Sequence, residues 1–174
     1  MRTIFVSEYI MPFNGCKILD IGCGPGTIVP YLGNVEYLGI DNNPLYIDKA
    51  NKKFANACIN FECGDVTSAS KKKSGYYDRV IMSGVLHHIS DKEAIECIKA
   101  AKCLLKPEGR FCSIDGTYTP ETGAIGKLIL SKDRGKHVRK PPEYSNLIKP
   151  YFPNALSVIR KDIMNLPVSY IVFY

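Results

Sequence analysis

Apolar residues along this chain come in short runs, several of them closing on an acid or a glycine. Such runs occupy residues 17–21, 37–40, 59–63, 78–82 and 110–114. Runs of this kind fit strands buried on both faces of a sheet. Between them the pattern turns helical. Residues 2–13 place Ile4, Phe5, Tyr9 and Ile10 on or near one face of a short helix. A helix is expected over 27–32, where Pro30 falls within the first turn and is tolerated. Pro44 sits near the start of another, reaching about Ala55, where a missing N–H costs little. Ser90 and Glu93 form a capping-box pair. The helix they open repeats Ala94, Ile95, Ile98, Ala101 and Leu105 at helical spacing, and Pro107 and Gly109 close it. Residues 66–75 are too polar and too short for a long helix. After the fifth run come two short helical segments, 122–131 and 143–151, and two last strands, 156–160 and 168–174, whose turn holds Asn165 and Pro167.

Five strands interleaved with helices imply a mostly parallel sheet with right-handed crossovers. The short connection before the last strand implies an antiparallel hairpin at one edge. In such a sheet, ligands sit beyond the carboxyl ends of the strands, at the point where the winding reverses. The first strand leads there into Gly22-Cys23-Gly24-Pro25-Gly26, with Asp20 just ahead, and the second closes on Asp41. Strand, glycine loop, helix, strand, acid is the outline of an adenosine-binding half-domain. A dinucleotide loop of the form G-x-G-x-x-G would want glycine or alanine at position 27, which is Thr27.

The spacing G-x-G-x-G with Asp20, followed in order by Asp41, Asp65 and the run Ser83-Gly84-Val85-Leu86-His87-His88, resembles the class I S-adenosylmethionine-dependent methyltransferases, in particular a small bacterial group of the broad type 11/12 kind. The specific motifs cover residues 15–116; from 117 onward the resemblance is one of topology. It implies a doubly wound, seven-stranded α/β sheet in the order 3-2-1-4-5-7-6, with strand seven antiparallel. It implies S-adenosyl-L-methionine as cofactor, S-adenosyl-L-homocysteine as product, and no NAD. Gly22, Cys23, Gly24 and Gly26 would then lie against the cofactor, with loop amides facing its carboxylate and Asp20 near its amino group. Asp41 would accept from the ribose hydroxyls, since a carboxylate offers two acceptor oxygens to a vicinal diol; it could equally cap the helix at Pro44. Asn42 would lie against sugar or adenine. Asp65 would accept from the adenine amine, with the Val66 amide on a ring nitrogen. Ser83 would line the methionyl part. His88, or else His87, would be the proton acceptor for the nucleophile, because a histidine titrates near working pH.

Size and charge narrow the rest. The 174 residues suit one domain, with 1–14 a short N-terminal segment and 117–152 an inserted substrate-recognition region. The seven cysteines are scattered without a C-x-x-C, so neither a disulfide framework nor a metal site is expected. No stretch reaches the ~20 apolar residues of a membrane span, and the N-terminus lacks the form of a signal peptide, so a cytoplasmic protein is expected. Net charge is +6, gathered partly at Lys71–Lys73 and partly around Lys132–Lys140. Within the second cluster, Arg134, His137 and Arg139 are candidates for holding an anionic group of the substrate. A small molecule, methylated on O or N, is the expected acceptor. Signatures of DNA and arginine methylation are missing, and no RNA-binding stripe is present. A non-catalytic cofactor-binding subunit and an RNA or protein methyltransferase are the alternatives; a homodimer stays open.

Overall fold

The strands pair in the order β3-β2-β1-β4-β5-β7-β6. The structure is a computed structural model, and it describes residues 1–66, 74–132, 135–164 and 166–174. The Lys71–Lys73 run, Arg134 and Asn165 lie outside those residues. The strands are β1 (Cys16–Ile21), β2 (Val35–Asp41), β3 (Ile59–Cys63), β4 (Tyr77–Ser83), β5 (Leu105–Thr117), β6 (Ser157–Arg160) and β7 (Ser169–Phe173). Pairing from β3 through β5 is parallel, while β7 runs antiparallel to both β5 and β6. The doubly wound sheet that the chain pattern implied is therefore present, hairpin edge included.

Both faces of the sheet are covered at its centre, which is why β1 and the second half of β4 bury successive residues, whereas β3 at the edge exposes Asn60 and Glu62. Alternate residues face opposite sides. Leu19, Val80, Met82, Phe111 and Phe173 join one core with helix α3 (Asp91–Leu104) and helix α5 (Pro141–Ile148). Ile18, Ile81, Cys112 and Val172 join the other, with helix α2 (Pro44–Phe54) and the N-terminal helix. That N-terminal helix begins as α1 (Arg2–Ile4) and widens into a π-helical stretch, Phe5–Ile10, stopped by Met11 in the left-handed conformation at φ 47°. Phe5, Val6, Tyr9 and Ile10 are its buried face. The remaining helix, α4 (Ala124–Lys132), follows β5.

Two expected elements differ. The helix over 27–32 is only a 3-10 turn, Val29–Tyr31. Gly26 and Gly33 both take positive φ, leaving six residues between two breaks, and Pro30 brings no N–H to that stretch. The helix opened by Ser90 ends at Leu104, and β5 starts directly at Leu105. Tyr77 pairs with Leu105 but Arg79 pairs with Arg110, so Lys106–Gly109 bulge out between them. Pro107 sits in that bulge, where it takes no ladder bond.

Helix α3 holds the loop that precedes it in place. Ser90 accepts from the Glu93 amide, and the Glu93 carboxylate accepts from the Ser90 amide at 2.8 Å. Ile98, fully buried on the inner face of α3, belongs to the core that joins the helix to the sheet. Ile98→Ala should lower the unfolding free energy by about 2–5 kcal/mol, read as a drop in the urea midpoint at unchanged slope. A loss of a few tenths would mean that α3 is not a core element.

Candidate active site

The carboxyl ends of β1, β2 and β4 frame a cavity of about 280 Å³. Asp20, Gly22, Cys23, Gly24 and Asp41 form one side of it, and Ser83, Gly84 and His88 another. Pro25, Thr27 and Ile28, Tyr46 from the first turn of α2, and Met1 and Arg2 from the N-terminus also line it. These six are not among the expected site residues. Tyr46 carried only a faint signal, an aromatic residue just inside a helix beside the acid of β2.

Glycine is required in the loop for two different reasons. Gly22 has φ 71°, and a Cβ there would come within 2.5 Å of Val85. Gly24 has φ 54° and nothing within 4 Å, so its missing side chain leaves open space over the backbone. The loop amides, however, do not present themselves to a ligand. Gly22 donates to the Ile40 carbonyl at 2.8 Å, Gly24 to Asp41 Oδ2 at 2.9 Å and Gly26 to the Cys23 carbonyl at 3.2 Å. The expected amide cradle for a carboxylate is thus replaced by a loop whose amides are spent on its own turn and on Asp41. Arg2, a cation, lines this cavity.

Asp41 also accepts from the Asn43 amide at 2.9 Å. Each of its oxygens takes one backbone N–H and keeps a further lone pair for a hydroxyl. The cap of α2 is Asn43, whose side chain accepts from Leu45. Asn42 and Asp65 are exposed, Val66 is buried in the core, and Gly26 packs against Phe54 and Phe61. None of these four lines the cavity.

Asp20 is 2% exposed. The Tyr37 hydroxyl donates to its Oδ2 at 2.7 Å, and its Oδ1 has no partner among the described residues. Burial pushes its pKa up to about 7, against the lowering effect of Tyr37 and with a further rise from the Asp41 charge. A buried acceptor left unmet is costly, and a cationic ligand in this cavity would meet it. The residues present therefore fit S-adenosylmethionine, whose ammonium and sulfonium are both positive.

A second cavity, of about 320 Å³, shares Met1, Ser83, Gly84 and His88 with the first. His87 and Asp115 lie in its wall, with Ile114, Ile129, Leu130, Leu166 and Val168 among the apolar residues around them. Asp115 was not foreseen, although its place near the carboxyl end of β5, where ligands gather in this sheet type, was the available signal. Its Oδ1 accepts from His87 Nδ1 at 2.8 Å and from the His87 amide at 3.2 Å. That places the Nδ1 proton. The His87 and His88 rings lie 4.1 Å apart. His87 is buried and His88 exposed.

Comparison with known proteins fits this geometry. A sequence model of the methyltransferase-domain family matches residues 18–109, just over half of the chain. The chain belongs to that family. It is 29% identical over 114 residues to a ubiquinone biosynthesis O-methyltransferase of Acinetobacter baylyi, covering 63% of this chain and 47% of that protein. The chain thus spans about half the length of the curated relatives it matches. Among solved structures, the fold is similar to a geranyl diphosphate C-methyltransferase from Streptomyces coelicolor bound to S-adenosyl-L-homocysteine, with TM-score 0.75, 10% identity, and 99% and 75% of the two chains covered. It is also similar to a TehB-like S-adenosylmethionine-dependent methyltransferase from Corynebacterium glutamicum, with TM-score 0.68, 19% identity, and 99% and 85% covered. S-adenosyl-L-methionine is the cofactor of this family.

The basic cluster after β5 divides. His137 is exposed, gives its amide to the His87 carbonyl and lines neither cavity. Arg139, expected to hold a substrate anion, is 7% exposed and also lines neither. Its guanidinium donates to Asp91 at 2.7 and 2.9 Å, to the Ile89 carbonyl at 2.8 Å, to the His137 carbonyl at 3.1 Å and to the Leu86 carbonyl. Arg139 is a strap across the turn that carries His87 and His88, because the open carbonyls of Leu86 and Ile89 need donors there. The 117–152 region divides likewise. Helix α4 gives Ile129 and Leu130 to the second cavity, while α5 buries Tyr144, Leu147 and Ile148 in the core.

Two outcomes are expected. Asp20 holds its proton more tightly folded than unfolded, so its contribution to stability is full below its ordinary value of 3.8 and fades as pH rises to about 7. Without cofactor, Asp20→Asn should therefore raise the melting temperature at pH 8 and leave it unchanged at pH 3.5, while weakening S-adenosylmethionine binding at pH 8. A pH-independent difference would show that Asp20 is not charged when buried. Arg139→Ala should cost about 2–4 kcal/mol in chemical unfolding, as loss of a buried, multiply bonded cation does. Unchanged stability with only a raised acceptor KM would return Arg139 to substrate binding.

Proposed function

We propose that this protein transfers a methyl group from S-adenosylmethionine to a hydroxyl or amine of a small molecule. The observation that carries the reading is the shared wall. One cavity has the acid and glycine chemistry suited to the cofactor, a second lies beside it, and Ser83, Gly84 and His88 belong to both. The resemblance to an O-methyltransferase favours oxygen as the acceptor atom.

When bound, S-adenosylmethionine supplies a methyl group on a positive sulfonium, already activated for in-line displacement. The protein's work is then alignment and exclusion of water. Asp41 holds the ribose, Asp20 meets the cationic end, and Arg2 pairs with the carboxylate. His88 takes the proton from the acceptor as the new bond forms. His87, fixed by Asp115, sets the ring of His88 against the acceptor. Asn42, Asp65 and Val66 remain candidates for the adenine end, just outside the cavity that Asp41 lines.

The test separates binding from chemistry. Asp41→Ala should weaken S-adenosylhomocysteine binding by about 1.5–3 kcal/mol, the usual cost of losing hydrogen bonds to a charged group. His88→Ala should leave that affinity unchanged in calorimetry and lower kcat about 10²-fold or more with an accepted substrate. Tighter binding of NAD than of S-adenosylhomocysteine by the unaltered protein would overturn the reading. Full kcat in His88→Ala would remove the histidine from the chemistry and leave alignment alone.

A further inference from the structure

The second cavity changes character from one end to the other. Its wall toward the cofactor cavity is Ser83, Gly84 and His88, with His87 and Asp115 beside them. Away from that wall, Ile129, Leu166 and Val168 are apolar, and Tyr170 donates its hydroxyl proton to Met164 at 3.0 Å. Among the described residues no lysine or arginine lines it, and Met1 sits where it meets the cofactor cavity. Its acidic side chain is Asp115, 2% exposed, with Oδ1 bonded to His87 and Oδ2 unpartnered among the described residues. An anion placed here would meet a carboxylate in a medium that screens poorly.

The apolar wall also continues outward. Helical spacing puts Ile125, Leu128 and Ile129 on one face of α4. Ile129 lines the cavity, whereas Ile125 and Leu128 are 68% and 53% exposed. Leu166 both lines the cavity and is 40% exposed.

We infer that the acceptor is an uncharged amphiphile, with one protic group on an otherwise apolar body. This rests on the second cavity being the acceptor site, which His137 and Arg139 do not line. The polarity gradient sets the orientation. The apolar body lies between α4 and the 166–168 segment and extends over the exposed face of α4. The protic end turns toward Ser83, His88 and the cofactor cavity, because those groups stand where the two cavities join, whereas the Tyr170 hydroxyl in the same wall already donates to Met164. A buried polar group without a partner is costly, so the reversed pose is disfavoured. A volume of about 320 Å³ lies near the lower limit of the ~300–1,000 Å³ usual for ligand pockets, which suits a compact ring system with its tail outside.

Two near-isosteric probes test this, 2-naphthol, neutral at pH 7, and 2-naphthoate. Both are titrated calorimetrically into the whole protein, with and without saturating S-adenosylhomocysteine. Naphthol should bind at least tenfold more tightly than naphthoate. Leu166→Lys, at a partly exposed position that tolerates change, should weaken naphthol at least fivefold and strengthen naphthoate, with S-adenosylhomocysteine affinity unaltered. Equal or tighter binding of naphthoate to the unaltered protein would overturn the inference, and so would indifference of both probes to Leu166→Lys. Failure of S-adenosylhomocysteine to bind would instead strike the methyl-transfer reading. The naphthol-to-naphthoate ratio measured without it would still decide what the second cavity prefers.

Discussion

The sheet winds one way from β1 to β3 and the other way from β4 onward, so between β1 and β4 the connections part. The carboxyl ends of those two adjacent strands are left uncovered by their own crossovers. Everything chemical in the structure follows from that gap. The glycine loop leaves β1 on one side of it, and the Ser83–His88 segment leaves β4 on the other. β5, next in the sheet, carries Asp115 to the same level through its parallel register with β4, where Ser83 pairs with Ile114.

Two buried carboxylates flank this gap, and each is half satisfied. Asp20 receives a hydrogen bond from Tyr37 on one oxygen, and Asp115 receives two from His87 on one oxygen. The other oxygen of each has no partner among the described residues. Such groups weaken the free protein. They make sense together as acceptors held ready, one toward a cationic cofactor and one in the wall where a protic acceptor arrives. Arg139 plays the opposite part. It is a buried cation with its donors filled, and it stiffens the turn between the two sites.

Much of this could be read along the chain. The apolar runs, the glycine loop, Asp20, Asp41, Ser83 and His88 are local patterns, because each depends on a strand end and the few residues beyond it. What escaped depends on distance in sequence. That the loop amides are spent on Ile40 and Asp41 cannot be seen from the loop alone. Arg139 looks like a free surface cation until β5 and α5 bring it across Leu86, more than fifty residues earlier. Asp115 becomes informative only when His87 is set beside it. The missing helix after Gly26 is a nearer miss, since Gly26, Pro30 and Gly33 together left too little room for one.

A crystal structure with S-adenosylhomocysteine tests the central claim most directly, which is that the two cavities meet at the reacting atom. The sulfur should lie against Ser83, Gly84 and His88, facing the second cavity, with the ribose at Asp41 and the amino group at Asp20. A sulfur turned toward Thr27 and Arg2, with the protein between it and the second cavity, would contradict the account.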